Sequence, residues 1–221
     1  MPNWVSNTLT IEGNPDSVIK LKNQMNKPFT QMVEARGDLN WVLKEQKYSN
    51  PVFAFWNVVA PTDLEQYHSS CDVEGMKNPD NWYNWNNRNW GTKWDVAVSH
   101  SQEYPNTELY KDEPNGENHV LVYGFETAWG PAITVLETLS SQYPDLLFTL
   151  NYKEETGWGG EMEFLKGETI SESEYNWQCY ECDYEEMDEP PYCEECEFDV
   201  CPSCGYNESS EPCDDHKENN R

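Results

Sequence analysis

Seven of the chain's eight cysteines lie in one short C-terminal stretch, and this cluster constrains the possible folds more than any other feature. A histidine follows them, which makes four pairs of metal-binding residues, each with two residues between its members. The eight residues are Cys179, Cys182, Cys193, Cys196, Cys201, Cys204, Cys213 and His216. The turn of a Cys-x-x-Cys pair directs both sulfurs at one ion, and tetrahedral zinc takes four such ligands. We therefore predict two structural zinc ions with closed coordination, whose binding supplies folding energy to a segment poor in aliphatic residues.

Two other interpretations of these cysteines remain open. A disulfide framework requires secretion and an even number of cysteines, whereas the N-terminus lacks the basic and apolar regions of a signal peptide. Iron in a rubredoxin-like site is the second, because the stretch Cys201-Pro202-Ser203-Cys204-Gly205 fits rubredoxins and zinc ribbons alike. A site with three cysteines and one histidine favours zinc. The spacing does not decide whether adjacent or alternate pairs share an ion.

The cysteine cluster resembles the ZZ-type zinc finger, including the stretch Phe198-Asp199-Val200 between its second and third pairs. This resemblance implies that alternate pairs share an ion and that the module binds a peptide or protein without catalysis. One difference is Cys213, which stands where that family usually has a histidine.

The charge of the chain is strongly acidic, with 41 Asp and Glu against 14 Lys and Arg and a net charge of −27. Sequence-independent binding to a phosphate backbone requires a basic surface, so direct nucleic-acid binding is not expected. Residues 171–221 carry 17 acidic and 2 basic side chains. Two acidic runs lie between the metal-ligand residues and are the candidate partner-binding residues: Glu185, Glu186, Asp188 and Glu189 before the second pair, and Glu194 and Glu195 within it. They form either a solvated surface that aids solubility or an array that imitates nucleic acid in a partner's basic site.

Hydrophobic spacing in residues 1–168 predicts an α+β domain. Alternating apolar residues predict a strand that contains Val5, and helical spacing follows in Val18, Leu21 and Met25. Further strands are predicted at residues 52–59, 94–98, 120–125, 146–152 and 161–165, with a helix after Gly130-Pro131. This order predicts a ferredoxin-like, largely antiparallel sheet with helices on one face. Residues 171–221 are expected to form a second, acidic two-zinc module.

A tryptophan-rich insertion covers residues 82–94, and Trp82, Trp85 and Trp90 are its candidate partner-binding residues. Three interpretations are open: packing over one sheet face, an interface with a protein, and a platform on which nucleic-acid bases stack. Only Arg88 and Lys93 accompany the aromatic residues, which is few for a groove that follows a phosphate backbone.

Three spaced motifs in residues 1–168 resemble a family of YubB-like plasmid proteins and Api-type phage proteins. The motifs are Met1-Pro2-Asn3-Trp4-Val5-Ser6-Asn7, Asn89-Trp90-Gly91-Thr92-Lys93-Trp94-Asp95 and Phe125-Glu126-Thr127-Ala128-Trp129-Gly130-Pro131. The resemblance implies a ferredoxin-like domain and a home on mobile genetic elements. It implies no established activity and no catalytic residues, and the acidic cysteine cluster is not part of its pattern.

The sequence favours a binding protein over an enzyme. It contains no phosphate-binding loop, no Gly-x-Ser-x-Gly and no His-Glu-x-x-His, and no apolar run approaches the length of a membrane span. We expect a non-enzymatic phage or mobile-element protein in the cytoplasm of a bacterial host. Its expected partner is a host nucleic-acid-handling or defence protein, which it inhibits through its acidic surface. The alternative is a zinc-dependent adaptor that binds a peptide or protein.

Overall fold

The computed structural model describes residues 3–36, 41–69, 77–97, 107–155, 157–175, 192–193 and 198–199. Within these ranges a six-stranded antiparallel sheet contains the strands β1 (Trp4–Gly13), β4 (Glu108–Asn115), β5 (Asn118–Ala128), β6 (Leu146–Glu154), β7 (Gly159–Leu165) and β8 (Glu168–Tyr175). Their order across the sheet is β4-β5-β1-β6-β7-β8. The two main helices are α1 (Pro15–Met25) and α4 (Ile133–Gln142).

The topology of the first four sheet strands is ferredoxin-like. The chain runs β1-α1, then β4-β5-α4-β6, and β1 lies between β5 and β6 and is antiparallel to both. This arrangement is the split β-α-β pattern that defines the ferredoxin-like fold. Strands β7 and β8 extend the sheet beyond β6. The predicted α+β, ferredoxin-like class is therefore confirmed.

The core lies between the sheet and the two helices. Along β1, Val5, Asn7, Leu9 and Ile11 are buried while the residues that alternate with them are more exposed, as the period of a half-buried strand requires. Helix α1 begins after Asn14, whose side chain accepts hydrogen bonds from the backbone N–H groups of Asp16 and Ser17. A buried set from both helices packs on this face: Val18, Leu21, Met25, Val135, Leu136 and Leu139.

An insertion separates α1 from β4. It contains the hairpin β2 (Phe29–Arg36) and β3 (Trp41–Tyr48), a 3-10 turn (Phe55–Asn57), and the helices α2 (Leu64–Tyr67) and α3 (Trp82–Asn89). The prediction of strands at residues 52–59 and 94–98 was wrong, because residues 55–57 form the 3-10 turn and residues 94–97 bend around Asp95. The Asp95 carboxylate accepts hydrogen bonds from the N–H groups of Phe55, Trp56 and Ala97. These N–H groups are therefore bonded to a side chain and not to a neighbouring strand.

The C-terminal end of the sheet domain is the edge strand β8, which continues to Tyr175. Two short strands follow, β9 (Tyr192–Cys193) and β10 (Phe198–Asp199), and they pair antiparallel with Phe198 opposite Cys193. Apart from the backbone of Cys193, the predicted zinc ligands lie outside the described residues. The same holds for the six acidic residues predicted to contact a partner.

Candidate functional site

Three segments that are distant in the sequence meet at one end of β1 and β5. The Trp129 N–H donates to the Asn3 carbonyl at 2.9 Å, and the Thr92 hydroxyl donates to the Ala128 carbonyl at 3.2 Å. These bonds join the N-terminal segment, the segment after α3 and the segment between β5 and α4. The same three segments carry the three motifs described above, so the motifs form one structural unit.

At this junction the Lys93 ammonium is surrounded by aromatic rings. The Lys93 Nζ lies 4.3 Å from the ring centroid of Trp94 and 4.9 Å from that of Trp129. The rings of Tyr83 and Trp82 are 5.9 Å and 6.0 Å away. A cation within about 6 Å of a ring centroid is attracted by the negative face of the ring. Four rings therefore act on one ammonium group.

The rings also contact one another. Trp94 stacks with Trp4 on one side, at a centroid distance of 5.9 Å, and with Trp129 on the other, at 6.5 Å. Tyr83 meets Trp129 edge to face, and Trp82 meets Tyr83 in the same way. We call this group the Lys93 cluster: Trp4, Trp82, Tyr83, Lys93, Trp94 and Trp129.

Local structure fixes the position of each member of the cluster. Trp82 and Tyr83 begin α3, which is capped by Asn81 through its hydrogen bond from the Asn84 N–H. The Asn86 side chain donates to the Lys93 carbonyl at 2.8 Å and so ties the segment after α3 back to the helix. Gly91, with φ of +79°, lets this segment approach the start of α4, where an added Cβ would lie 3.3 Å from the Thr134 hydroxyl.

Trp129 is the exposed member of the cluster and has an unusual backbone. Its exposed fraction is 46%, and its φ is +69°, in the left-handed region that bulky residues rarely adopt. Such conformations cost about 1–3 kcal/mol and concentrate at functional sites. Here the strain coincides with an indole ring held at the surface against Trp94.

Two carboxylates border the cluster next to Trp4. Glu126 pairs with Ser6 across β5 and β1, and the Glu155 N–H donates to the Trp4 carbonyl. Burial raises the pKa of Glu126, and the negative charge of nearby Glu155 raises this pKa further. The aromatic surface is therefore flanked by two acidic groups that repel each other and favour a cation nearby.

The structure corrects two of the three predicted partner-binding tryptophans. Trp90 is fully buried and donates its indole N–H to the Val59 carbonyl, and Trp85, 9% exposed, packs against it edge to face. Both therefore belong to the core that supports the cluster, while half-buried Trp82 belongs to the cluster itself. Sequence reasoning missed Trp4 and Trp129 as site residues, because both lie far from Trp94 in the sequence and stack on it only in the folded chain.

The contact between Asp112 on β4 and His119 on β5 has a structural role. The Asp112 carboxylate lies 2.7 Å from the His119 ring nitrogen Nε2 and also contacts the Lys22 ammonium. Hydrogen bonds from Lys22 and His119 lower the pKa of Asp112. The Lys22 ammonium and the His119 ring therefore share the carboxylate, which ties α1 to the sheet.

Within the described residues, no three side chains of His, Cys, Asp or Glu come together as metal ligands. No helix in the described ranges has the length and apolar composition needed to cross a membrane.

Comparisons with known proteins extend the description of the fold. No curated protein matches the chain. A solved structure, the crystal structure of protein api92 from Yersinia pseudotuberculosis, aligns over 80% of this chain and 99% of its own, with 10% identity and a TM-score of 0.45. Residues 93–194, which include Lys93, Trp94 and Trp129 as well as β4 to β8, match the family described as the ferredoxin-like domain in Api92-like proteins.

Proposed function

We propose that this chain is a non-enzymatic accessory protein of a phage or other mobile element that binds and inhibits a host nucleic-acid-handling or defence protein. The observation that carries the proposal is the Lys93 cluster, an aromatic surface with an exposed Trp129 and two bordering carboxylates in a chain of net charge −27. Aromatic residues are the usual anchors of protein interfaces. The surrounding negative charge favours a basic protein surface over a phosphate backbone.

The proposed mechanism is occlusion of a basic groove. The 17 acidic side chains of residues 171–221 imitate the charge of nucleic acid, and the aromatic surface supplies apolar contact. Opposite charges steer the two proteins together, so association is fast at low salt and slows as salt screens the charges. The partner then loses access to its own nucleic acid.

Charge reversal tests this proposal. Replacing Glu185, Glu186, Asp188 and Glu189 by lysine should weaken partner binding and reduce its dependence on salt. A matched control reverses four exposed acidic residues of the sheet domain: Glu45, Glu65, Glu117 and Glu168. If the affinity survives both the first set of changes and high salt, the acidic segment does not imitate nucleic acid.

A zinc-dependent adaptor that binds a peptide is the second candidate function. The observation that favours it is the antiparallel pairing of β9 with β10, which brings together the chain on either side of Cys196. A hairpin at a Cys-x-x-Cys pair suits a zinc knuckle, and two structural zinc ions are proposed for the eight predicted ligands. The adaptor predicts that binding is lost on chelation but is unchanged by the four lysine substitutions.

A further inference from the structure

The aromatic rings of the Lys93 cluster form a cation site that the chain itself fills. We propose that this cluster recognises an arginine side chain of a protein partner, and that Lys93 is the internal cation which the arginine displaces. The inference rests on the proposed function, since it specifies where and how a basic partner binds.

The first argument is the ring geometry around Lys93. The two nearest ring centroids lie 4.3 Å and 4.9 Å from its Nζ, and two further rings lie at about 6 Å. Ring faces that attract an ammonium also attract a guanidinium. The guanidinium is more weakly hydrated and stacks flat on aromatic faces, so it loses less hydration on entering such a site.

The second argument is the charge that borders the rings. Glu126 and Glu155 lie beside Trp4, close enough to each other that Glu155 contributes to the raised pKa of Glu126. A guanidinium next to these groups relieves their repulsion and donates hydrogen bonds to them, since arginine pairs with carboxylates through a planar fork. An anionic ligand, including the phosphates of a nucleotide, would meet repulsion at the same border.

The third argument is the accessibility of Trp129. Almost half of this side chain is exposed, whereas the side chains of its neighbours Trp94 and Tyr83 are more deeply buried. Its backbone occupies the left-handed region, which holds the ring at the surface against Trp94. An incoming guanidinium can therefore stack on Trp129 without any opening of the fold.

The experiment titrates the full chain with a synthetic peptide of alternating arginine and glycine and measures affinity by calorimetry. Peptides of the same length with lysine or glutamate in place of arginine are the comparison, and we expect affinity to fall in the order arginine, lysine, glutamate. Trp129→Ala should weaken arginine-peptide binding about tenfold, a loss within the range of a partly desolvated cation–π contact. Tyr110→Ala, which removes an exposed ring on β4, is the matched control and should leave the affinity unchanged.

The decisive variant is Lys93→Met, which keeps the length of the side chain and removes its charge. Because Lys93 competes with the arginine, this change should tighten arginine-peptide binding several-fold. Weaker binding in Lys93→Met would overturn the proposal, since it would show that Lys93 supports the binding of the arginine peptide and does not compete with it. Equal losses of peptide affinity in Trp129→Ala and Tyr110→Ala would also overturn it. So would an affinity that is the same with and without the Trp129 side chain.

The same variants distinguish a failure of the arginine site from a failure of the proposed function. If a DNA-displaceable host partner binds Trp129→Ala as well as wild type, the arginine site fails while the proposed function stands. If the arginine peptide binds through Trp129 but no retained partner responds to DNA, the site stands and the proposed function fails.

Discussion

Asp95 is a buried carboxylate that organises the insertion between α1 and β4. Its two oxygens accept hydrogen bonds from Phe55 and Trp56 at 2.9 Å and from Ala97 at 3.0 Å. Burial raises the pKa of Asp95, and these N–H groups oppose that rise by stabilising the charged form. The residue joins the 3-10 turn under the sheet to the segment that carries Lys93 and Trp94.

We expect Asp95→Ala to lower the free energy of unfolding by about 2–4 kcal/mol, because it leaves three N–H groups without their acceptor. Urea unfolding followed by tryptophan fluorescence measures this change. Glu117→Ala, at an exposed turn, is the control and should change stability little. A loss for Asp95→Ala no greater than that of the control would show that Asp95 does not hold the insertion.

At Glu126, we expect one substitution to change the stability of the fold and the affinity for the arginine peptide in opposite directions. Because burial and Glu155 raise its folded-state pKa, the charged form of Glu126 destabilises the fold. We therefore expect Glu126→Gln to stabilise the protein at neutral pH. The gain should vanish as pH falls below the unfolded pKa of about 4.3, where Glu126 is protonated in both states.

Unfolding measured across this pH range tests the sign of the effect. If the glutamine variant is less stable than wild type at neutral pH, Glu126 stabilises the fold and its proposed role in cation binding loses its basis. We expect the same variant to bind the arginine peptide more weakly, so that stability and affinity change in opposite directions.

At the level of elements, the turn between β7 and β8 has a sequence poorly matched to its conformation. Lys166 and Gly167 both have positive φ, +57° and +88°, which corresponds to the two-residue hairpin turn that favours Asn-Gly. Lys166→Asn should therefore raise stability by about 0.5–1 kcal/mol.

The opposite result is expected for Gly167→Ala. A Cβ at this position would lie 2.9 Å from the Ser141 Cβ, and alanine does not favour positive φ. Denaturant midpoints of the two variants check these signs. A stabilising Gly167→Ala would contradict the turn conformation.

The elements also show which parts of the fold were accessible from sequence. Strands β1, β5, β6 and β7 and helices α1 and α4 each bury one face, so their apolar spacing predicts them. The edge strands β4 and β8 are exposed along most of their length and offer no such spacing. The strands predicted at residues 52–59 and 94–98 failed because a side chain, that of Asp95, takes the N–H groups that a neighbouring strand would bind.

The site was less predictable than the fold. The tryptophan-rich segment indicated an aromatic cluster, but two of its tryptophans, Trp85 and Trp90, face the core. The residues that complete the surface, Trp4 and Trp129, come from β1 and from the end of β5. Only the pairing of these two strands brings them to Lys93 and Trp94. The zinc ligands remain a prediction.

At the level of the whole molecule, we expect the sheet domain to be followed by an acidic metal-binding module. We expect two zinc ions per chain, measured by elemental analysis. Chelation should unfold the cysteine-rich segment that follows β8 while the sheet domain, which ends at Tyr175, stays folded, because the buried core of the sheet does not depend on metal. Hydrogen exchange resolves the two parts. One ion per chain, or disulfides in place of metal, would contradict the two-zinc module.

Partner binding at the acidic surface is tested by a pull-down from bacterial lysate. Tagged full-length chain is incubated with and without excess duplex DNA, and the retained proteins are identified by mass spectrometry. We expect a nucleic-acid-binding protein that is retained without DNA and released when DNA is added, because the DNA and this chain occupy the same basic groove of that protein. A retained partner that is indifferent to DNA would contradict the nucleic-acid-mimic mechanism and favour the peptide adaptor.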